Sequence, residues 1–490
     1  MKRKIVTAIA AFSIFTITIS CGDDFVDAGV PYSQDSGNYF NTKENYESAL
    51  IGVYDILQST YVNVLLGEIA SDNTYAGGES ATDVPGFQQV DQMSHTPVNP
   101  NVKNVWDWMF SGVNRANYII ENQNKIDFEG KEKIIAQTRF LRAYFQFELV
   151  KWFGGIPLKG DSRFIVGDET SIPRSSTTEV YAAIEADLLY AIENMETGPQ
   201  EQGRVTKGAA QALLGKAYLY QGKYQQAADV LEQLIQSGSY SLVTNYNTIF
   251  ENAGENGTES VFEVQYTDAE GAGFGCLQCS EGNVAVGFNG PRNFVGPLYD
   301  SGYSFNIPTQ EAYDMFEPGD GRRDVAILNI DAFAAANPGT TFGIGYEHTG
   351  FFNKKYIPRQ GDLNLGDSKL TNPNNYRAIR YADVLLMAAE AYNKVGNDDK
   401  ARTYVNLVRA RAFGDNNHNF TAGGAALGDL IFDERRRELV GEGHRFFDLV
   451  RTGRGTQIPN FTPNKNEVFP IPYEEMQFSN GNWEQNPGYN

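Results

Sequence analysis

Tryptophan, histidine and cysteine are scarce in this 490-residue chain, with 4, 4 and 3 copies, and cations fall short of anions, 40 against 61. Each shortage removes a class of function. Three cysteines cannot build a multi-disulfide framework. A structural zinc site usually takes four Cys or His ligands, whereas Cys276-Leu277-Gln278-Cys279 offers two, and His95, His348, His418 and His444 are isolated from one another. No metal site is therefore expected. His-Glu-x-x-His, Gly-x-Ser-x-Gly and a glycine loop followed by Lys-Ser or Lys-Thr are all missing, so no catalytic residue and no cofactor is assigned. The cation deficit sets the formal charge at −21 and argues against nucleic acid, whose phosphates need clustered Lys and Arg. Long apolar runs are missing too, apart from Ile5–Ile19, which is shorter than the roughly 20 residues that cross a bilayer core.

That run follows Lys2, Arg3 and Lys4 and precedes Ser20-Cys21-Gly22-Asp23-Asp24, the layout of a cleaved secretory signal. Ser20 before Cys21 resembles a bacterial lipobox, which makes residues 1–20 a signal peptide and Cys21 the acylated first residue of an outer-membrane lipoprotein. Asp23 and Asp24 resemble the acidic tag that sends lipoproteins of the Bacteroidota to the cell surface. Removing residues 1–20 with their three cations takes the charge from −21 to −24. A flexible leader is expected over 21–36 and one body over 37–490, since no Pro/Gly/Ser-rich linker or charge block divides it.

Within that body the periodicity is mostly α. Helical patterning covers Lys43–Ser59, Val102–Asn122, Lys131–Trp152, Thr177–Met195, Lys207–Gln221, Tyr224–Gln236, Arg380–Lys394, Asp398–Phe413 and Leu427–Val440. Asn41-Thr42-Lys43-Glu44 offers a cap with Glu three residues on, and Ser176-Thr177-Thr178-Glu179 is a capping box. The helical scaffold thus lies mainly in 40–240 and 376–450. Residues 241–375 form a loop-rich lobe with a short β-like run, Ser260–Tyr266. Two helical pairs share the tetratricopeptide spacing: Gly215, Tyr218, Gly222, Tyr224, Ala227 and Leu231 in one, and Ala389, Tyr392, Gly396, Ala401 and Val405 in the other. Small residues at these positions let paired helices approach, and such pairs must stack to bury their faces.

The chain resembles the SusD/RagB family of nutrient-binding outer-membrane lipoproteins. The resemblance is carried by Asp24-Phe25-Val26-Asp27 after Cys21, Tyr46–Tyr54, Ala70-Ser71-Asp72-Asn73, Trp106–Asn117, Arg139–Tyr144 before Gly154-Gly155-Ile156-Pro157-Leu158, Pro173-Arg174-Ser175 and Gly203–Lys207. It continues through Tyr376–Ala391, Asn406–Ala412, Glu434–Leu439, Gly443–Leu449, Pro470-Ile471-Pro472 and Asn486-Pro487-Gly488-Tyr489. The resemblance implies an α/α superhelix of four tetratricopeptide-like pairs with a ligand site in the irregular half. It also implies a SusC-like TonB-dependent transporter as partner.

Three constellations remain. Glu434, Glu438 and Glu442 lie four apart with His444 beyond, but Arg435, Arg436, Arg437 and Arg445 share the segment, and structural ion pairing is the expected use. Cys276 and Cys279 are expected to form a local disulfide in an exported protein, with free thiols or metal and redox work as alternatives. Sugars present flat CH faces and a hydroxyl rim, which call for rings and a few polar groups. Such residues gather in two walls. One holds Asp72, Asn73, Tyr75 and Phe87; the other holds Phe274, Phe288, Arg292, Asn293, Tyr299 and Tyr303. All four tryptophans, Trp106, Trp108, Trp152 and Trp483, fall in the scaffold motifs instead, so a Tyr/Phe platform, a charged glycan read by Arg292, or a peptide ligand as in the RagB branch are the options. A non-catalytic surface protein that captures a glycan and passes it to the transporter is the leading expectation. A peptide carrier, a secreted hydrolase and a pure tetratricopeptide adaptor compete with it.

Overall fold

The computed structural model describes residues 39–196, 201–362, 365–367 and 369–489. The expected signal peptide, the acylated Cys21 and the leader 21–36 lie outside the described residues. The nine helices expected from periodicity are all present, with ends displaced by four residues or fewer. The first, α1 (Lys43–Asp55), is capped one residue later than expected: the Thr42 hydroxyl, not Asn41, accepts from Asn45 N. A 3-10 turn leads on to α2 (Tyr61–Ile69), which the sequence reading missed. Every residue of α2 except Val64 is buried, Asn63 and Glu68 included, and a helix buried all round has no polar stripe to betray its period.

After strand β1 (Thr74–Gly77) and the short α3 (Pro85–Asp91), the scaffold continues with α4 (Pro100–Glu121), α5 (Lys131–Phe153) and α6 (Thr177–Asn194), which opens on the Ser176–Glu179 capping box. Next come α7 (Lys207–Tyr220) and α8 (Tyr224–Gln236). The lobe then intervenes, with β2 (Ser260–Val264), α9 (Val284–Asn289), β3 (Phe305–Pro308), β4 (Ile327–Asn329), β5 (Phe351–Asn353) and β6 (Tyr376–Arg380). The chain returns to helix with α10 (Tyr381–Lys394), α11 (Asp398–Phe413), α12 (Gly424–Leu439) and α13 (Arg445–Arg451).

The scaffold helices pack as four successive pairs, α1 with α4, α5 with α6, α7 with α8 and α10 with α11, each pair touching the next. Small residues set the approach as expected: a Cβ on Gly215 would lie 2.5 Å from Leu231, and one on Gly112 2.4 Å from Phe145. Across the third and fourth pairs, the Tyr392 and Tyr404 hydroxyls both donate to Glu232 Oε2, at 2.9 and 2.6 Å. All four tryptophans are buried among these helices and the C-terminal segment. Gly112→Ala tests the packing. Alanine regains about 1 kcal/mol of helix propensity, but overpacking a filled site costs about 1–3 kcal/mol, and Phe145 is fully buried with no room to retreat. A net loss of stability is expected in denaturant unfolding; a midpoint at or above that of the parent would contradict it.

The sheets among the described residues are all two-stranded and antiparallel. β2 pairs with β6, β4 with β5, and β1 with β3, which reaches out of the lobe to a strand before the scaffold's long helices. Two smaller cores lie apart from the main one, the first within the lobe on Phe294, Tyr299, Ile307, Leu328, Phe352 and Ile357, the second joining Phe316, Ala326, Ile327 and Phe351 of the lobe to Val440 of the helical half.

Charge joins lobe to scaffold. α12 ends at Leu439, and Glu442 reaches the same cluster as Glu434 and Glu438 from a turn in which Gly441 and Gly443 adopt φ of +86° and +83°. Arg322 meets Glu434 at 2.8 Å and Glu438 at 3.1 Å, and Lys355 meets Glu442 at 2.6 Å. Arg380 bridges Glu438 and Glu442 at 2.8 and 2.7 Å, while Arg409 and Arg411 close on Glu434 and Glu438. All of these side chains are buried. Burial, reinforced by Lys216, pushes the His444 imidazole down to about 3. It is therefore neutral, with Nδ1 3.4 Å from Lys216 Nζ. The expected ion pairing is what these residues do.

Candidate functional site

β1 and β3 lay the two expected walls side by side although more than two hundred residues separate them in sequence. Tyr75 pairs with Ile307 in register, Gly78 N donates to Ser304 O at 2.6 Å, and Tyr346 N donates to Gly78 O at 2.9 Å. Glycine is required at this seam, since a Cβ on Gly77 would meet Ser304 O at 2.3 Å and one on Gly345 would meet Gly78 O at 2.4 Å.

Of the ten residues expected to touch ligand, five turn inward, and the expectation is corrected for them. Asp72 is clasped by Arg445 through two bonds of 2.7 and 2.8 Å. Burial works to raise its carboxyl, but Arg445 and Arg436 more than offset this and hold it below the usual carboxylate range. Asn73 is fully buried and accepts from Arg436 Nε at 2.8 Å. Phe87 and Phe288 pack on each other and on Phe305 in the main core. Tyr299 is 5% exposed, wedged against Phe294 and Phe333. Rings and amides are as useful to a core as to a ligand, and composition does not say which way they face.

The other five reach the surface. Phe274 is 54% exposed and meets Tyr303 edge-on at 5.9 Å. Tyr303 is half-buried, backed by Phe288, with Lys369 Nζ 4.7 Å from its ring centroid. Tyr75 is half-buried and Asn293 exposed. Arg292 ties the walls together: its guanidinium lies 3.1 Å from Asp83 and 3.6 Å from Glu79, and donates to Tyr303 O at 3.0 Å. Cys276 and Cys279 are joined by a disulfide two residues beyond Phe274, whose own N–H donates to Asp367 Oδ2 at 2.8 Å.

Sequence reasoning passed over three residues that the fold brings here. Lys369 overhangs Tyr303, and Ile344 and Tyr346 sit on the strip that hydrogen-bonds to Gly78 and Arg292. Ile344 is 78% exposed. The glycine-flanked run Gly343-Ile344-Gly345-Tyr346 was the available signal. Six non-glycine residues here hold left-handed backbone: Asn293, Leu298, Ser304, Asn306, Glu347 and Lys369. Such strain persists where the surroundings over-determine it, as ligand clamps do.

The rim is acidic. Burial pushes the Asp362 carboxyl up to about 6, with Asp268 and Asp300 adding repulsion, while Arg292 is neutralised by Asp83 and Glu79. Among the described residues no group of three or more His, Cys, Asp or Glu is placed to hold a metal ion. The surface offers ring faces and hydrogen-bonding groups to a flat polar ligand with no net negative charge.

Residues 325–489 match the model of the SusD family, and residues 24–219 match a model described as starch-binding, associating with outer membrane. A SusD-like protein of Formosa agariphila, P2, is 27% identical over 92% of this chain and 94% of its own length. A solved laminarin-binding SusD-like protein superposes with a TM-score of 0.84 at 33% identity, over 92% of this chain and all of its own. Surface glycan-binding protein A from Bacteroides thetaiotaomicron, solved with laminarihexaose, superposes at 0.81 with 27% identity, over 91% and 100% of the two chains.

Proposed function

The chain belongs to the SusD family of non-catalytic binding proteins, and on that premise we propose that it captures a neutral glycan of the laminarin type at the cell surface and passes it to a SusC-like TonB-dependent transporter. The observation that carries the glycan reading is the 33%-identical, near full-length likeness to a laminarin-binding protein. The charge balance supports it as well, because Arg292 is already paired and Lys369, over Tyr303, is a single cation beside Asp300 and Asp367, too little to hold a polyanionic glycan. Association with the outer membrane accords with the description of the matched model.

In this reading the Phe274–Tyr303 corner stacks on the sugar's CH face, and Tyr75, Asn293 and the Arg292–Asp83 pair meet its hydroxyl rim. The anchor is Cys21. Tethering beside the transporter supplies a high effective concentration, so each contact can stay weak and reversible.

Affinity gels containing laminarin test the proposal. The wild-type chain is expected to be retarded. The double variant Phe274→Ala/Tyr303→Ala is expected to bind roughly tenfold more weakly, which corresponds to about 1.4 kcal/mol. Absence of retention by laminarin, or retention unchanged in the double variant, would overturn it, and retention by a peptide mixture instead would favour the RagB-like alternative.

A further inference from the structure

A second concave surface, of about 320 Å³, opens on the scaffold between α4, the loop that follows α5 and the C-terminal segment. Its apolar walls come from Trp106 and Phe110 of α4, Phe164 and Ile172 of the loop, and Trp483. The rings are locked. Trp483 Nε1 donates to Ile172 O at 2.8 Å, and Trp106 and Trp483 are 2% and 5% exposed. Neither tryptophan therefore offers an open face to a sugar, and the rings that do reach the groove, Phe110 and Phe164, meet edge-on rather than forming a flat platform.

The rim is negative. Asp107, Asp168, Glu169 and Glu475 line the groove, and Glu474 stands beside them; the cations that reach this set are Lys103, which meets Asp107, Glu474 and Glu475, and Lys159, which meets Asp168. Five carboxylates thus face two ammonium groups. Burial and repulsion from Asp107 and Glu169 hold the Glu475 carboxyl above its usual range.

The elements that line the groove also carry exposed apolar groups. Ile165 and Val166, on the loop that forms one wall, are 63% and fully exposed, and Tyr473 and Phe478, on the helical turn that carries Glu475, are 52% and 59% exposed. Exposed apolar residues gathered around a polar rim mark a protein contact. The chain's own leader is a poor occupant, because Gly22–Asn38 contains four aspartates and no lysine or arginine.

We infer that this groove docks a segment of a partner protein in which a lysine or arginine neighbours an aliphatic side chain. The aliphatic group packs onto the half-buried Phe110 and Phe164, which meet each other edge-on at 5.8 Å, and the cation completes the unbalanced carboxylates. The inference is independent of which glycan binds at the lobe.

Three acetylated, amidated tetrapeptides serve as probes in calorimetric titration: Lys-Leu-Lys-Leu, Glu-Leu-Glu-Leu and Lys-Ser-Lys-Ser. The first is expected to bind at least roughly tenfold more tightly than either of the others. The variant Asp107→Asn/Glu169→Gln/Glu475→Gln is expected to lose most of that preference. A control that neutralises three exposed acids elsewhere, Glu132→Gln/Glu193→Gln/Asp229→Asn, is expected to keep it, which separates the groove from the general negative charge of the chain. Ile165→Ser/Val166→Ser alters only exposed side chains and is expected to weaken Lys-Leu-Lys-Leu alone. Denaturant-unfolding midpoints equal to that of the parent report that all the variants fold. Equal binding of the three peptides, no binding at all, or equal losses in the groove and control variants would overturn the inference.

Discussion

Glu438→Ala is expected to lower the stability of the fold by about 3–5 kcal/mol, the range for removing one partner from a buried ion pair. One carboxylate oxygen of Glu438 takes Arg380 and Arg411 at 2.8 and 2.7 Å, and the other takes Arg322 at 3.1 Å. Its backbone carbonyl also accepts from Lys355 Nζ and the Tyr246 hydroxyl. Alanine leaves three guanidiniums short of a counter-charge where water does not reach. Each keeps another acid, Glu434 for Arg322, Glu442 for Arg380 and Glu259 for Arg411, so the cluster should weaken rather than burst. Glu438→Gln retains an acceptor and should fall between alanine and the parent. Denaturant unfolding of the three proteins measures this, and a loss in Glu438→Ala of less than about 1 kcal/mol, the worth of a surface pair, would show that the cluster contributes little. The pH dependence has a definite sign. Buried Glu438, Asp383 and Asp448 are held below the usual range by their arginines and, for Asp383, also by Lys216. Their stabilisation is present above the unfolded carboxylate range and is lost as pH falls below it.

Glu68→Gln should act in the opposite sense. Glu68 is fully buried in α2, and its Oε1 accepts from Gly443 N at 2.6 Å. Burial pushes its carboxyl up to about 7, against the pull of the Gly443 and Gly441 amides and Lys355. A group whose pKa is raised by folding stabilises fully below its unfolded value and loses that contribution as pH rises through the folded one. Glutamine has no proton to lose. The variant should therefore gain on the wild type between about pH 5 and 8, by up to about 3 kcal/mol at about 1.4 kcal/mol per pKa unit. Unfolding midpoints of both proteins at the two ends of that window decide it, since a constant offset would mean that Glu68 does not titrate there. His444 and His95, both held down to about 3 by burial, bring the wild type's stability down from the acid side as pH drops below the usual imidazole range. The profile is thus expected to have a maximum between the two arms.

The helices and two of the four scaffold pairs were legible because amphipathic stripes, caps and small-residue spacing act locally, while the number four came from the family resemblance. Ser176 and Glu179 close a capping box wherever that helix lies, and Gly215 needs only its neighbour α8 to explain it. The charged face of Glu434 and Glu438 was readable as ion pairing, although its partners Arg322 and Arg380 come from distant segments that no spacing rule connects. Where reading stopped, the cause was non-local. α2 has no polar side to set its period. The β1–β3 pairing joins segments far apart in sequence, and no local pattern says that Tyr303 meets solvent while Phe288, backing it from the main core, does not. Lys369 came to the platform in the same way.

The β2–β6 ladder has a consequence for how ligand choice can change. Val264 and Tyr376 face each other across it, so the chain leaves for the lobe and returns from it at strand spacing, about 4.8 Å. Segments whose ends meet in this way tolerate exchange. The lobe is in effect a cartridge with definite fittings: a strand to lie along Thr74–Gly77, cations where Arg322 and Lys355 now enter the carboxylates of the helical half, Arg292 on Asp83, and rings such as Phe288 and Phe305 that pack into the main core. A graft from a relative that keeps those fittings carries its own specificity, and one that omits either cation weakens a carboxylate cluster that then rests on Arg409 at Glu434, Arg411 and Arg380 at Glu438, and Arg380 at Glu442.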